Sequence, residues 1–111
     1  MNIADINHLL VGRTDVISFV FCVNPDNGVC MVRLRITDAM QRNHGVELEF
    51  IDVSDLRIQG FGGGLTQLMC LRVSDVSELG YDRVRYAVQD LEDGRLALKC
   101  DEIVCVAQLG V

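Results

Sequence analysis

The stretch DVISFVFCVNPDNGVCMVRLRIT, residues 15–37, decides the fold class of this chain. Its first part, DVISFVFCV (15–23), is rich in β-branched and aromatic residues and is apolar at both even and odd positions. That pattern is typical of a central strand covered on both faces. Its last part, VCMVRLRIT (29–37), alternates between apolar and polar positions, and NPDNG (24–28) supplies turn residues between the two. The stretch therefore predicts a β-hairpin.

Further strands are predicted along the rest of the chain. Alternating segments follow at VELEF (46–50), LTQLMCLRV (65–73), RVRYAVQDL (83–91) and RLALKCDEIVCVA (95–107). The apolar parity reverses at Ile51–Val53 and again at Asp101–Glu102. A parity reversal inside one apolar run predicts a β-bulge or a bend.

Only the N-terminus predicts a helix. Apolar residues from Ile3 to Leu10 recur at helical spacing, Asn2 can cap the helix and Gly12 can end it. Together these patterns predict a mainly β protein, an antiparallel β-sandwich or a strongly bent sheet of about seven strands with one short N-terminal helix. We expect the whole chain, residues 1–111, to form a single domain.

Length and composition favour an ordered domain. The chain has 111 residues, of which 50% are hydrophobic and 23% charged, so it can build one core and does not resemble a disordered segment. The apolar run Val16–Val23 is far too short to span a bilayer. The N-terminus carries an acidic residue where a signal peptide carries basic ones. We therefore expect a soluble cytoplasmic protein with no membrane partner.

The five cysteines are expected to be free thiols. Their number is odd and the sequence lacks an export signal, which favours a reducing compartment. Hairpin loops of two, three or four residues place Cys22 opposite Arg33, Val32 or Met31, and not opposite Cys30. Histidine and cysteine do not occur at metal-ligand spacing, so no metal site is expected.

The segment QGFGGGLTQ (59–67) raises the question of a phosphate-binding loop. A P-loop needs a lysine after its last glycine, but Leu65 and Thr66 follow Gly64 here. Leu65 also stands where the dinucleotide-binding pattern requires its third glycine. We therefore expect Gly60–Gly64 to form a bend between strands, without a nucleotide or other cofactor. The alternative is a small-ligand protein or an enzyme that uses this bend with His44 or a thiol.

The charge balance points to a protein partner. Sixteen acidic residues face ten basic ones, a net charge of −6, which argues against binding to nucleic acid and suits a basic protein. The candidate binding carboxylates are concentrated in the C-terminal part of the chain: Asp75, Glu78, Asp90, Glu92, Asp93, Asp101 and Glu102. Phe61 and Tyr81, each in a predicted loop, are candidates for an aromatic anchor. No catalytic signature is present, so we expect a non-enzymatic protein.

Two segments resemble a known family. These are FIDVSDLRIQGFGGGLTQLMCLRVSDVSE (50–78) and YAVQDLEDGRLALKCDEIVCVA (86–107). They resemble small all-β immunity proteins of bacterial polymorphic toxin systems, the immunity-protein-fifty group, in the DVSDLRI strand, the glycine-rich bend, the L-x-V-x-D strand and the terminal hairpin. The resemblance implies a non-catalytic bacterial protein that neutralises a partner toxin. A further alternative is a structural module that assembles through unpaired strand edges, for example as a homodimer.

Overall fold

The computed structural model describes residues 2–110, which contain one helix and nine strands. The elements are α1 (Ile3–Leu10), β1 (Arg13–Val23), β2 (Cys30–Asp38), β3 (Gly45–Ile51), β4 (Ser54–Ile58), β5 (Thr66–Gln67), β6 (Leu71–Asp75), β7 (Tyr86–Asp90), β8 (Leu96–Cys100) and β9 (Glu102–Leu109). A 3-10 turn, Ser77–Leu79, lies between β6 and β7. The predicted fold class is confirmed, although the strands are more numerous than predicted.

The strands form two antiparallel sheets. The first sheet has five strands in the order β5-β1-β2-β3-β9, and the second has four in the order β4-β8-β7-β6. The inward residues of both sheets form one hydrophobic cluster, which includes Leu34 and Phe50 from the first sheet and Val88 and Leu98 from the second. The core therefore lies between the sheets, and the polar sides of the alternating strands face outward.

The first hairpin has one of the three predicted registers, but β1 is not a central strand. Cys22 pairs with Met31 and Val23 with Cys30. On its other side β1 pairs with β5 only at Asp15 and Val16, because β5 is two residues long. From the next residue to Val23, β1 is an open edge of the sheet. The apolar side chains at even and odd positions of this part of β1 are therefore partly or fully exposed, and the strand is not covered on both of its faces.

The two reversals of parity mark corners at which the chain changes sheets. Asp52, with φ 62°, lies between β3 of the first sheet and β4 of the second. Asp101 lies between β8 of the second sheet and β9 of the first. The Asp101 N–H donates to the Ile51 carbonyl at 3.0 Å, so the corners are side by side. The sequence predicts a bulge or bend at each point, and the structure has a bend between layers.

The N-terminal helix covers the edge of the second sheet. Asn2 caps α1 in a capping box with Asp5, as its position predicts, and Ile6 is buried in the core. The Asn7 side chain donates to the Val73 carbonyl at 2.9 Å and accepts from the Val73 N–H at 2.8 Å. The Asn7 side chain therefore bonds with the N–H and carbonyl groups of Val73, to which a further strand would otherwise pair.

All five cysteines are free in the structure, and only Cys100 is fully buried. None of the helices in residues 2–110 is long and apolar enough to cross a membrane.

Candidate protein-binding site

Four of the candidate carboxylates lie at one end of the second sheet. Asp75 ends β6 and pairs with Tyr86, which in turn pairs with Cys100 at the end of β8. Asp101 and Glu102 follow Cys100 directly, and Glu78 lies in the turn that follows Asp75. We name this region the acidic end. It comprises Asp75, Glu78, Asp82, Asp101 and Glu102 together with the ring of Tyr81.

Glu92 and Asp93 lie at the opposite end of the same sheet. They occupy the exposed turn between β7 and β8, beyond Asp90, which pairs with Leu71 at the start of β6. A strand rises about 3.3 Å per residue, so the five residues of β7 separate this turn from the acidic end by roughly 16 Å. The two groups therefore do not form one patch.

Asp90 does not lie on the surface, which corrects its assignment to a binding patch. It is 1% exposed, and its carboxylate accepts hydrogen bonds from the backbone N–H groups of Cys70, Glu92 and Arg95. The distances are 3.3, 3.4 and 3.1 Å. These bonds satisfy partly buried backbone donors in the β7–β8 turn and next to the start of β6, so Asp90 has a structural role.

The two candidate aromatic anchors lie in different surroundings. Phe61 is half-buried and packs edge-to-face on Phe19 with 5.4 Å between the ring centroids, so it belongs to the core. Tyr81 is 58% exposed at the acidic end, and the Lys99 ammonium lies 5.5 Å from its ring centroid. Of the two, Tyr81 presents a ring to a partner.

An ion pair that sequence reasoning did not identify fixes the loop that carries Tyr81. Arg83 donates two hydrogen bonds of 2.6 Å to the Asp52 carboxylate, in bidentate geometry. The hydrogen bond with Asp52 and its negative charge raise the pKa of Arg83. Both residues have positive φ, 60° for Arg83 and 62° for Asp52, although neither is glycine. No local pattern signals a pair whose members are 31 residues apart.

The strained pair borders a shallow depression at the same end. Its volume is about 300 Å³, and its lining consists of Gly28, Asp52, Val53, Ser54, Asp82 and Arg83. Residues held at positive φ store strain of order 1–3 kcal/mol each, and such positions cluster at functional sites. The depression extends the acidic end towards the β1–β2 turn.

The electrostatic balance at this end is negative. Six carboxylates, those of Asp52, Asp75, Glu78, Asp82, Asp101 and Glu102, face three cationic groups, those of Arg83, Arg85 and Lys99. Hydrogen bonds from the Ser77 hydroxyl and N–H lower the pKa of Asp75. Asp75 therefore keeps its charge even in mildly acidic solution.

The glycine-rich segment links two strands, as its composition predicts, and these strands belong to different sheets. It runs from β4 of the second sheet to β5 of the first, and Gly60, Gly62, Gly63 and Gly64 all have positive φ. A strand, and not a helix, follows it, so the backbone N–H groups of a helix N-terminus do not stand behind the loop. The loop has the backbone conformations that only glycine adopts without strain.

For the alternative chemistry with His44 or a thiol, residues 2–110 contain no hydrogen bond between the His44 side chain and a cysteine. His44 is half-buried in the loop between β2 and β3, where its backbone bonds with Gln41 and Asp38. Burial raises the pKa of the Cys100 thiol to about 12, which makes that sulfur a poor nucleophile. Within residues 2–110, three or more His, Cys, Asp or Glu side chains do not come together in a metal-binding arrangement.

Comparison of the chain with protein-family models, with curated proteins and with solved structures gives no significant match. The resemblance to immunity proteins thus rests on the sequence patterns alone.

Proposed function

We propose that this protein is a non-catalytic binding protein, an immunity protein that neutralises a basic bacterial toxin domain through the acidic end. The observation that supports this proposal most is the gathering of carboxylates at the end of the second sheet where Tyr81 is exposed, in a chain of net charge −6. The resemblance of residues 50–107 to immunity proteins points in the same direction.

The chemistry of the acidic end suits a basic partner. Exposed carboxylates speed the encounter with a positive surface and fix its orientation, whereas tight binding needs a desolvated centre. Tyrosine is a favoured residue at such centres because its ring buries a large area and its hydroxyl forms a hydrogen bond. Tyr81 is therefore suited to be the aromatic residue at the centre of an interface, with the charged residues of the acidic end at its border.

The loop at the acidic end is held in place before any partner arrives. The Arg83–Asp52 pair joins the β6–β7 connection to the β3–β4 corner, and Asp75 fixes the 3-10 turn through Ser77. A surface already held in one conformation loses less entropy on binding. This rigidity supports a role in recognition.

A capture experiment with two matched variants tests the proposal. Glu78→Lys/Glu102→Lys reverses two charges at the acidic end, and Glu92→Lys/Asp93→Lys reverses two at the opposite turn, all at exposed positions. Wild-type and control proteins should retain the same basic protein from an extract of the producing organism and inhibit its activity. The acidic-end variant should lose both properties.

Two results would contradict the proposal. One is capture of a partner that binds both variants as well as it binds wild type. The other is a captured protein whose activity this chain does not inhibit.

A further inference from the structure

Three of the four outer strand edges in the described sheets are protected. Asn7 covers β6 through its bonds to Val73. β4 has five residues, is irregular between Ser54 and Arg57, and carries charge at Asp55 and Arg57. In β9 a bulge at Val106 interrupts the pairing with β3. Short length, charge, bulges and covering groups are the usual means by which proteins prevent strand edges from pairing with other chains.

The edge of β1 lacks these features beyond Ile17, where a bulge interrupts its pairing with β2. Between Ile17 and Val23 it has no charged residue and no proline, and its register with β2 is regular from Ser18 onward. Its side chains are also exposed, by 43% at Val20, 43% at Phe21 and 54% at Val23. An exposed, regular and uncharged edge is a template for another strand.

We propose that the free edge of β1 pairs in antiparallel fashion with the same edge of a second copy of this chain. The pairing joins two five-stranded sheets into one sheet of ten strands about a two-fold axis. The free edge runs from Ile17, where β5 ends, to Val23, where the hairpin turn begins, so its midpoint is Val20. The axis therefore passes beside Val20.

Among the possible contacts between two copies, charge favours one through the β1 edge. Each copy has a net charge of −6, so most self-contacts would bring like charges together. The β1 edge between Asp15 and Asp26 is neutral and avoids that repulsion. The contact is also isologous, so it closes as a dimer and leaves no further β1 edge open.

The side chains match across this axis. With Val20 opposite Val20, Phe21 lies opposite Phe19 of the second copy, next to the aromatic pair that Phe19 forms with Phe61. Ile17, which is 49% exposed, lies opposite Val23. The exposed apolar side chains of the edge thus gain apolar partners.

The interface between the two copies is small, so we expect weak dimerisation. Seven residues from each chain give an area at the low end for specific complexes, so we expect a dissociation constant of roughly 1 to 100 µM. The acidic end lies on other strands, so the dimer and the toxin partner use separate surfaces. Failure of one proposal leaves the other standing.

Sedimentation velocity over a concentration series of about 1 to 500 µM tests the dimer. Wild type should shift from monomer to dimer, and Val20→Lys should weaken association at least about tenfold because it places two like charges opposite each other. Val104→Lys on the β9 edge, at a position that is also exposed, is the matched control and should dimerise like wild type.

A mixture of Val20→Lys with Val20→Glu should form a heterodimer, which shows that both variants are folded and that position 20 faces itself across the axis. Wild type that stays monomeric at every concentration overturns the proposal. So does a dimer that Val104→Lys disrupts and Val20→Lys leaves intact, since that result places the contact on β9. Higher assemblies without a dimer stage also exclude a closed two-fold contact.

Discussion

Asp90 shows that a single acidic residue can belong to the interior in spite of an acidic sequence context. We expect Asp90→Ala to lower the free energy of unfolding by about 3 kcal/mol. The substitution removes the charged acceptor to which the N–H groups of three residues donate. Asp93→Ala, three residues on and exposed, should change it by less than about 0.5 kcal/mol. Urea unfolding of the two variants measures the difference, and equal effects would contradict the structural role of Asp90.

Cys100 is a buried residue whose ionisation couples to folding. Burial raises its pKa from 9.0 to about 12, so folding favours the protonated thiol. The stabilisation is complete below pH 9 and declines as the pH rises towards 12. Urea unfolding at pH 8 and at pH 10 gives the change in the free energy of unfolding between the two pH values for each protein. This decrease should be larger for wild type than for Cys100→Ala. An equal loss in both proteins would exclude this contribution.

At the residue scale, the sequence predicts roles whose partners are close in the chain. The cap at Asn2 depends on neighbours within one helix turn, and this prediction is confirmed. The Cys22–Met31 register is one of the three that the predicted hairpin turn allows. The bonds of Asp90 to Cys70 and of Arg83 to Asp52 span 20 and 31 residues. Their existence depends on the tertiary fold, which periodicity does not determine.

At the scale of elements, the attachment of α1 to β6 depends on one side chain. Asn7→Ala removes both bonds to the Val73 backbone, and should reduce the free energy of unfolding by about 2 kcal/mol. The neighbouring His8→Ala is a control on the same helix, with an exposed side chain and no bond to β6. Hydrogen exchange at the Val73 amide should accelerate only in the Asn7 variant, and unchanged protection there would contradict the contact.

Strand prediction succeeds where alternation is regular and fails where burial differs from the pattern. The alternating segments all contain strands, yet β1 is an edge, because apolar residues on both parities occur in exposed edges as well as in buried centres. The parity reversals near Asp52 and Asp101 are visible in the sequence. That they lead the chain from one sheet to the other follows only from the packing of the layers.

At the scale of the whole molecule, net charge is readable from composition but its distribution is not. In the sequence, the seven candidate carboxylates form one acidic group in the C-terminal part of the chain. Strand register sends Asp75 and Glu102 to one end of the sandwich, Glu92 and Asp93 to the other, and Asp90 into the interior. A single hairpin, β7–β8, is enough to divide the group.

The central claim is that the acidic end guides a basic protein partner to this molecule. The direct measurement is the association rate of the captured partner with Glu78→Lys/Glu102→Lys and with Glu92→Lys/Asp93→Lys, across a salt series. The acidic-end variant should associate at least about tenfold more slowly at low salt, with a smaller change in dissociation rate. The difference should shrink at high salt, since charges are screened over about 8 Å at physiological ionic strength. Equal association rates for the two variants at low salt would contradict the claim.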